Sequence, residues 1–238
     1  MTSGSVFATT HWSVVLAAGG DETTQAGAAL EVLCRSYWHP LYHYLRRRGF
    51  GLEDAQDLTQ GFFAKLIQRR ALAKADPQRG RFRSFLLASL KHFLADEWDR
   101  ARARKRGGGE TLRLDFQSEE SRIEEPPART LTPDEAYERR WAMRLLEQVY
   151  GKLAAEFERE GRAAQFLELR VALAGDRGAV PYAEIGRQTG MSEGAVKVAV
   201  HRLRQRYRAL LRATVAETVA APEEVEDELR HLLHVLAG

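Results

Sequence analysis

Apolar residues recur at intervals of three and four along most of the chain, and the β-branched residues that favour strands are sparse. That pattern predicts an all-α protein. A first helix is expected from about Thr24 to Trp38, with Leu30, Leu33 and Tyr37 on one face. Pro40 should break or kink it, while Leu41, Tyr44 and Leu45 carry the stripe to a stop at Gly49. The next amphipathic run covers about Glu53–Arg70, with Leu58, Phe62 and Leu66 inward and acids in the first turn, as the helix dipole prefers. After a loop holding Asp76, Pro77 and Gly80, Phe82–Arg106 reads as one long helix. Its inward positions are Phe82, Phe85, Leu86, Leu90, Phe93 and Leu94, and Gly107–Gly109 ends it.

Periodicity is lost from Glu110 to about Thr132, an acidic, Pro-interrupted stretch that reads as a linker. It resumes at Thr132-Pro133-Asp134-Glu135, where Thr132 is a good N-cap, Pro133 suits the first helical position and the acids suit the first turn. Helices are expected over about 134–160 and 163–174, with a turn at Asp176–Val180. The expected organisation is two helical domains, 1–106 and 133–238, joined by a flexible acidic linker, 107–132.

The sharpest local pattern is Pro181–Leu211. A short helix from Tyr182 has Ile185 inward and Gly186 where a second helix must cross closely. Gly190 supplies a left-handed terminus, Met191 plugs the turn and Ser192 caps the next helix. On that helix Val196, Val200, Leu203, Tyr207 and Leu210 form an apolar stripe, and Lys197, His201, Arg204 and Arg208 recur on another face. An apolar side for its own domain and a cationic side outward is what a helix lying in the major groove requires. Ser192, Glu193, Lys197, His201, Arg204 and Arg208 are therefore candidate duplex contacts. An arginine face that is merely solvated is the alternative reading.

Net charge is only +3, but its distribution is uneven. Basic residues cluster in Arg100–Arg106 and Lys197–Arg212, acids in Glu119–Glu125 and Glu223–Glu228. Such blocks imply two anion-binding surfaces. The single cysteine, Cys34, excludes an internal disulfide, and with the scattered histidines it gives no metal-ligand spacing. No apolar run approaches a membrane span and no leader pattern is present, so a cytoplasmic protein is expected. No phosphate-binding Gly-rich loop or convergent catalytic set is visible, so neither an enzyme nor a cofactor is implied.

The segment YAEIGRQTGMSEGAVKVAVHRLRQ resembles the promoter −35 reading region, region 4, of sigma factors of the extracytoplasmic-function class. Upstream, LEDAQDLTQGFF (Leu52–Phe63) resembles their region 2.2 helix, and FRSFLLASLKHFLADEWDRARARKR (Phe82–Arg106) their region 2.3–2.4 helix. The resemblance covers about residues 10–106 and 134–212. It implies that Glu53, Asp54, Asp57, Leu58, Gln60 and Phe63 bind the β′ clamp helices of RNA polymerase core. It also implies a β flap contact, promoter DNA as ligand and an anti-sigma factor as a further partner. Holding a displaced strand needs cations for phosphates and flat groups for bases. Arg79, Arg81, Arg83, Lys91, His92, Trp98, Arg100, Arg102 and Arg104 supply both, so the eight cationic residues among them are candidate −10 contacts.

Three features depart from the family pattern. His92 stands where members often have Asn. Gln56 and Gly61 replace two carboxylates of region 2.2, and Thr59 between them is a candidate phosphosite whose modification by a Ser/Thr kinase would restore negative charge. Pro222–Leu236 adds an amphipathic tail with Val225, Leu229, Leu232, Leu233 and Leu236 on one face. It reads either as a helix packing on the C-terminal domain or as a regulatory helix masking a binding surface. An ordinary helix-turn-helix regulator explains residues 181–211 alone and leaves the upstream segments without a purpose.

Overall fold

The computed structural model describes residues 24–68, 72, 75–76, 80–106, 131–174 and 180–237. Among the described residues there are helices and no strand. In chain order they are α1 (Thr24–Arg47), α2 (Leu52–Gln68), α3 (Phe82–Arg106), α4 (Pro133–Arg159) and α5 (Ala163–Leu169), the last running into a 3-10 turn, Arg170–Ala174. Then come α6 (Tyr182–Thr189), α7 (Glu193–Ala216), a 3-10 turn at Pro222–Glu224 and α8 (Val225–Ala237). The expected linker, 107–132, lies outside the described residues up to 130.

Pro40 does not break the first helix; α1 runs through it. An internal proline costs about 3 kcal/mol. Tyr37, Leu41, Tyr44 and Leu45 are all buried around it, and at about 1.5–3 kcal/mol per large apolar side chain that burial outweighs the penalty. An aromatic seam joins α1, α2 and α3. Tyr37 meets Phe82 edge-on at 5.5 Å, Trp38 stacks on Phe63 at 6.0 Å and Phe62 meets Phe93 at 5.8 Å. The start of α4 is fixed by a reciprocal capping box. The Glu135 amide donates to Thr132 Oγ1 (3.2 Å) and the Thr132 amide to Glu135 Oε2 (2.8 Å).

The chain divides into two compact units, Met1–Arg144 with Glu217–Gly238, and Leu145–Ala216. The C-terminal tail, expected with the helix-turn-helix, groups here with the first unit. The physical cause is the packing of α8. Its apolar stripe contains a carboxylate, Glu228, and that carboxylate is buried against arginines of the first unit.

The second unit is built on Leu153, Phe157, Phe166, Leu169, Ala172, Ile185, Val196, Val200 and Leu203. Gly190 ends α6 with φ 69°, and the Met191 amide returns to the Gly186 carbonyl at 2.9 Å. Ser192 Oγ accepts from the Ala195 amide at 3.3 Å. The turn sequence therefore folds as the pattern predicts. Gly186 is sterically required, because a Cβ there would lie 2.6 Å from the Met191 carbonyl oxygen. On the outside of the unit, Arg206 donates twice to Glu156, at 2.7 and 2.5 Å, and joins α7 to α4. These hydrogen bonds, against the opposing effect of burial, hold the Glu156 carboxyl below its ordinary range.

Two stability tests follow from these contacts. Gly186→Ala should destabilise by about 1–3 kcal/mol through overpacking. Gly151→Ala, which meets nothing within 4 Å on the exposed side of α4, should stabilise by about 0.5–1 kcal/mol; urea melts of both variants check the opposite signs. Glu156→Gln should cost no more than about 1 kcal/mol at neutral pH, since the pair is exposed. A depressed carboxyl pKa contributes above its unfolded value, so this difference should vanish as pH falls through the acid range.

Candidate nucleic-acid interface

The candidate −10 residues separate into three groups. Lys91, His92, Arg100 and Arg102 are exposed along α3, with Trp98 36% exposed among them. Lys91 pairs with Asp134 at 2.5 Å and Arg100 with Glu97 at 2.7 Å, both at the surface. Exposed pairs of this kind are worth about 0–1 kcal/mol, so a phosphate can displace them. Arg79 lies outside the described residues, as does the side chain of Arg104. Arg81 and Arg83 form the third group, and they are engaged by the protein itself.

Arg83 is the most enclosed cation described, with 3% of its side chain accessible. Its guanidinium fork holds Glu228 through Nη1 and Nη2, and its Nε donates to Glu138 at 2.7 Å. The plane lies 4.0 Å from the centroid of Trp141. Burial disfavours the charge, but Glu138 and Glu228 outweigh it and hold the guanidinium above its ordinary pKa. Arg81 donates to the other side of the same carboxylate, Nε to Glu228 Oε2, at 2.5 Å. Glu228 is completely buried, and His231 on the next turn of α8 lies 3.1 Å from Glu138. The buried Tyr137 hydroxyl closes the node by donating to the Arg83 carbonyl at 2.9 Å; its pKa is pushed well up, chiefly by burial. In this structure Arg83, expected as a DNA contact, is the centre of an internal ion-pair network.

Of the candidate polymerase contacts, Glu53, Asp57 and Gln60 are exposed on α2 and Asp54 is half-buried. Asp54, Asp57 and the half-buried Leu58 border a cleft of about 560 Å³ whose far wall is Phe93, Leu94, Glu97 and Trp98 of α3. Gly61 also lines it; a side chain there would approach the Phe93 ring. Lys65 ties the two walls, 3.0 Å from Asp96 and 5.0 Å over the Phe93 ring. Phe63 does not belong to this surface. It is 5% exposed and stacked on Trp38, so it positions α2 from below. Thr59, the candidate phosphosite, is fully buried and its hydroxyl donates to the Ala55 carbonyl at 2.6 Å, so its modification would require this turn of α2 to open.

On α7, Glu193, Lys197, His201 and Arg208 are exposed, as is the capping residue Ser192. Lys197 pairs with Glu193 at 2.9 Å. Arg204 is different. Its Nε and Nη2 both donate to the Ala172 carbonyl, at 3.0 and 2.7 Å, so it satisfies the end of the 3-10 turn instead of facing outward. The apolar stripe at 196, 200 and 203 places Gly194, Val198, His201 and Gln205 on the opposite side at helical spacing, and all four are exposed. Val198 and Gln205 were missed because only charge was used to find the outward face. Glu138 and Glu228 were missed for a related reason. Glu228, three residues after Val225 and four before Leu232, was readable as a carboxylate inside the apolar stripe of α8.

Among the described residues no group of His, Cys, Asp and Glu could hold a metal ion, and no helix is long and apolar enough to cross a membrane. Cys34 is half-buried, and burial followed by Glu31 pushes its thiol pKa up.

Residues 33–104 match the family model of sigma-70 region 2, under a third of the chain and the span of α1 to α3. This part of the chain is similar to sigma-70 region 2, and the match supports a sigma-factor role in transcription initiation. Domains of this kind bind RNA polymerase core and promoter DNA. No curated protein and no solved structure matches the chain.

The double donation by Arg204 separates it from its neighbours on α7. Arg204→Ala should destabilise the second unit by about 1–3 kcal/mol, the cost of leaving the half-buried carbonyl contact unmade. Arg208→Ala should stay within about 0.5 kcal/mol of the parent while weakening duplex binding. Thermal melts and duplex titrations of both variants make the comparison.

Proposed function

We propose that the chain is a cytoplasmic RNA polymerase sigma factor of the extracytoplasmic-function class. The reading rests above all on one coincidence: a sigma-70 region 2 match over α1–α3 lies upstream of a helix-turn-helix with the turn chemistry of a DNA reader. Glu53, Asp54, Asp57, Leu58 and Gln60 would dock on the β′ clamp helices, an acidic edge meeting a basic surface. The exposed set Lys91, His92, Trp98, Arg100 and Arg102 would hold the displaced −10 strand, cations on phosphates and the indole against a base. The second unit would read the −35 element as duplex, with Ser192, Glu193, Lys197, His201 and Arg208 at the groove and the β flap as its polymerase contact. Polymerisation belongs to the partner, and an anti-sigma factor is the class of regulator that would compete for the same surfaces.

Reconstituted run-off transcription tests this reading. Core polymerase with the full chain should initiate at a discrete promoter selected from genomic fragments, and core alone should not. Replacing Asp54 and Asp57 by Arg should lower core affinity by about 10-fold or more, as like charges across an interface do. A chain that binds duplex DNA but never supports initiation would instead be an ordinary helix-turn-helix regulator.

A further inference from the structure

The two arginines at the start of α3 stand where the displaced strand would need cations, yet a carboxylate of the same chain occupies both. Glu228 takes the fork of Arg83 and the Nε of Arg81. Arg81 keeps a third of its side chain accessible, so the node reaches the surface. The grip of α8 is narrow. Of its 13 residues only Val225, Glu228 and Leu232 are buried, and Leu233 is 63% exposed. Leu229, Val235 and Leu236 are half-buried beside them, so α8 is held by a modest apolar face and by one ion-pair node whose loss would loosen it.

We propose that α8 is a latch: Glu228 occupies the arginine pair Arg81 and Arg83 in place of a backbone phosphate of the −10 strand, and strand binding requires α8 to leave. The inference rests on the sigma-factor reading given above. A carboxylate and a phosphodiester present the same ligand to a guanidinium, a pair of anionic oxygens, so they compete for the same N–H groups. The exchange preserves charge, since Arg83 retains Glu138 while Glu228 is replaced by phosphate.

The test uses the full chain and a mixed-sequence single-stranded DNA of about 20 nucleotides, titrated by fluorescence anisotropy between roughly 50 and 200 mM salt. Glu228→Gln keeps the shape and removes the charge. It should bind at least about 5-fold tighter at low salt, with a log–log salt slope steeper by about 0.7–1.4, one or two further phosphates on single-stranded DNA. Glu226→Gln, an exposed acid on the same helix, removes equal charge and should change affinity less than about twofold. A folded Glu228→Gln with parental affinity and slope overturns the latch. If that variant loses helix content, hydrogen exchange of the parental chain decides. Faster exchange of residues 225–237 on DNA binding supports the latch, and unchanged protection in the bound state overturns it. Absence of DNA binding by every variant defeats the promoter reading and the latch together, whereas binding indifferent to residue 228 removes the latch alone.

Discussion

A guanidinium that has lost its water must find all its partners inside the protein, and the arrangement of the first unit follows from that requirement at Arg83. Isolated burial of such a charge costs several kcal/mol even after relaxation. The protein meets it with two carboxylates, one from α4 and one from α8, and an indole face from α4. Each partner comes from a different stretch of sequence, at separations of 55 and 145 residues for the two glutamates. The arginine thereby decides which distant segments assemble on α3. Removing one member of such a network typically costs about 3–5 kcal/mol, because the remainder is left charged and unpaired.

Much of the architecture was legible from the spacing of apolar residues, since each helix buries a stripe that recurs at three and four. The long α3 helix, the Thr132 cap and the Gly190–Met191–Ser192 turn are all local, and local chemistry suffices to place them. Pro40 escaped this reasoning because its cost is local while its compensation is tertiary. The tail escaped for the opposite reason. Its amphipathic period was plain, but a period says that a helix is buried and not against what. The deciding residue, Glu228, sits in the stripe and was passed over because acids are ordinarily solvated.

Site residues divide along the same line. Exposed polar side chains such as Lys91, His92, His201 and Arg208 stand where helical geometry put them. Arg83, Arg204 and Phe63 do not, because a long side chain is free to turn toward an unsatisfied carbonyl or carboxylate, and an aromatic one toward a neighbouring ring. Thr59 shows the limit of reading a motif as a flat string. Its neighbours in sequence face outward, but the 100° turn per residue points it into the core, where its hydroxyl bonds back to Ala55.

The shared carboxylate at position 228 also constrains how this chain can diverge. A lineage that shed the tail would strand two arginines at the head of α3, and one that lost Arg83 would strand Glu228 and Glu138. Either loss alone would leave a buried charge without its partner, so the tail and the arginines are coupled through one carboxylate. A carboxylate set into the apolar stripe of a C-terminal helix, together with Arg-x-Arg at the head of the third helix, is the sequence pattern by which the same coupling would be recognised in another chain.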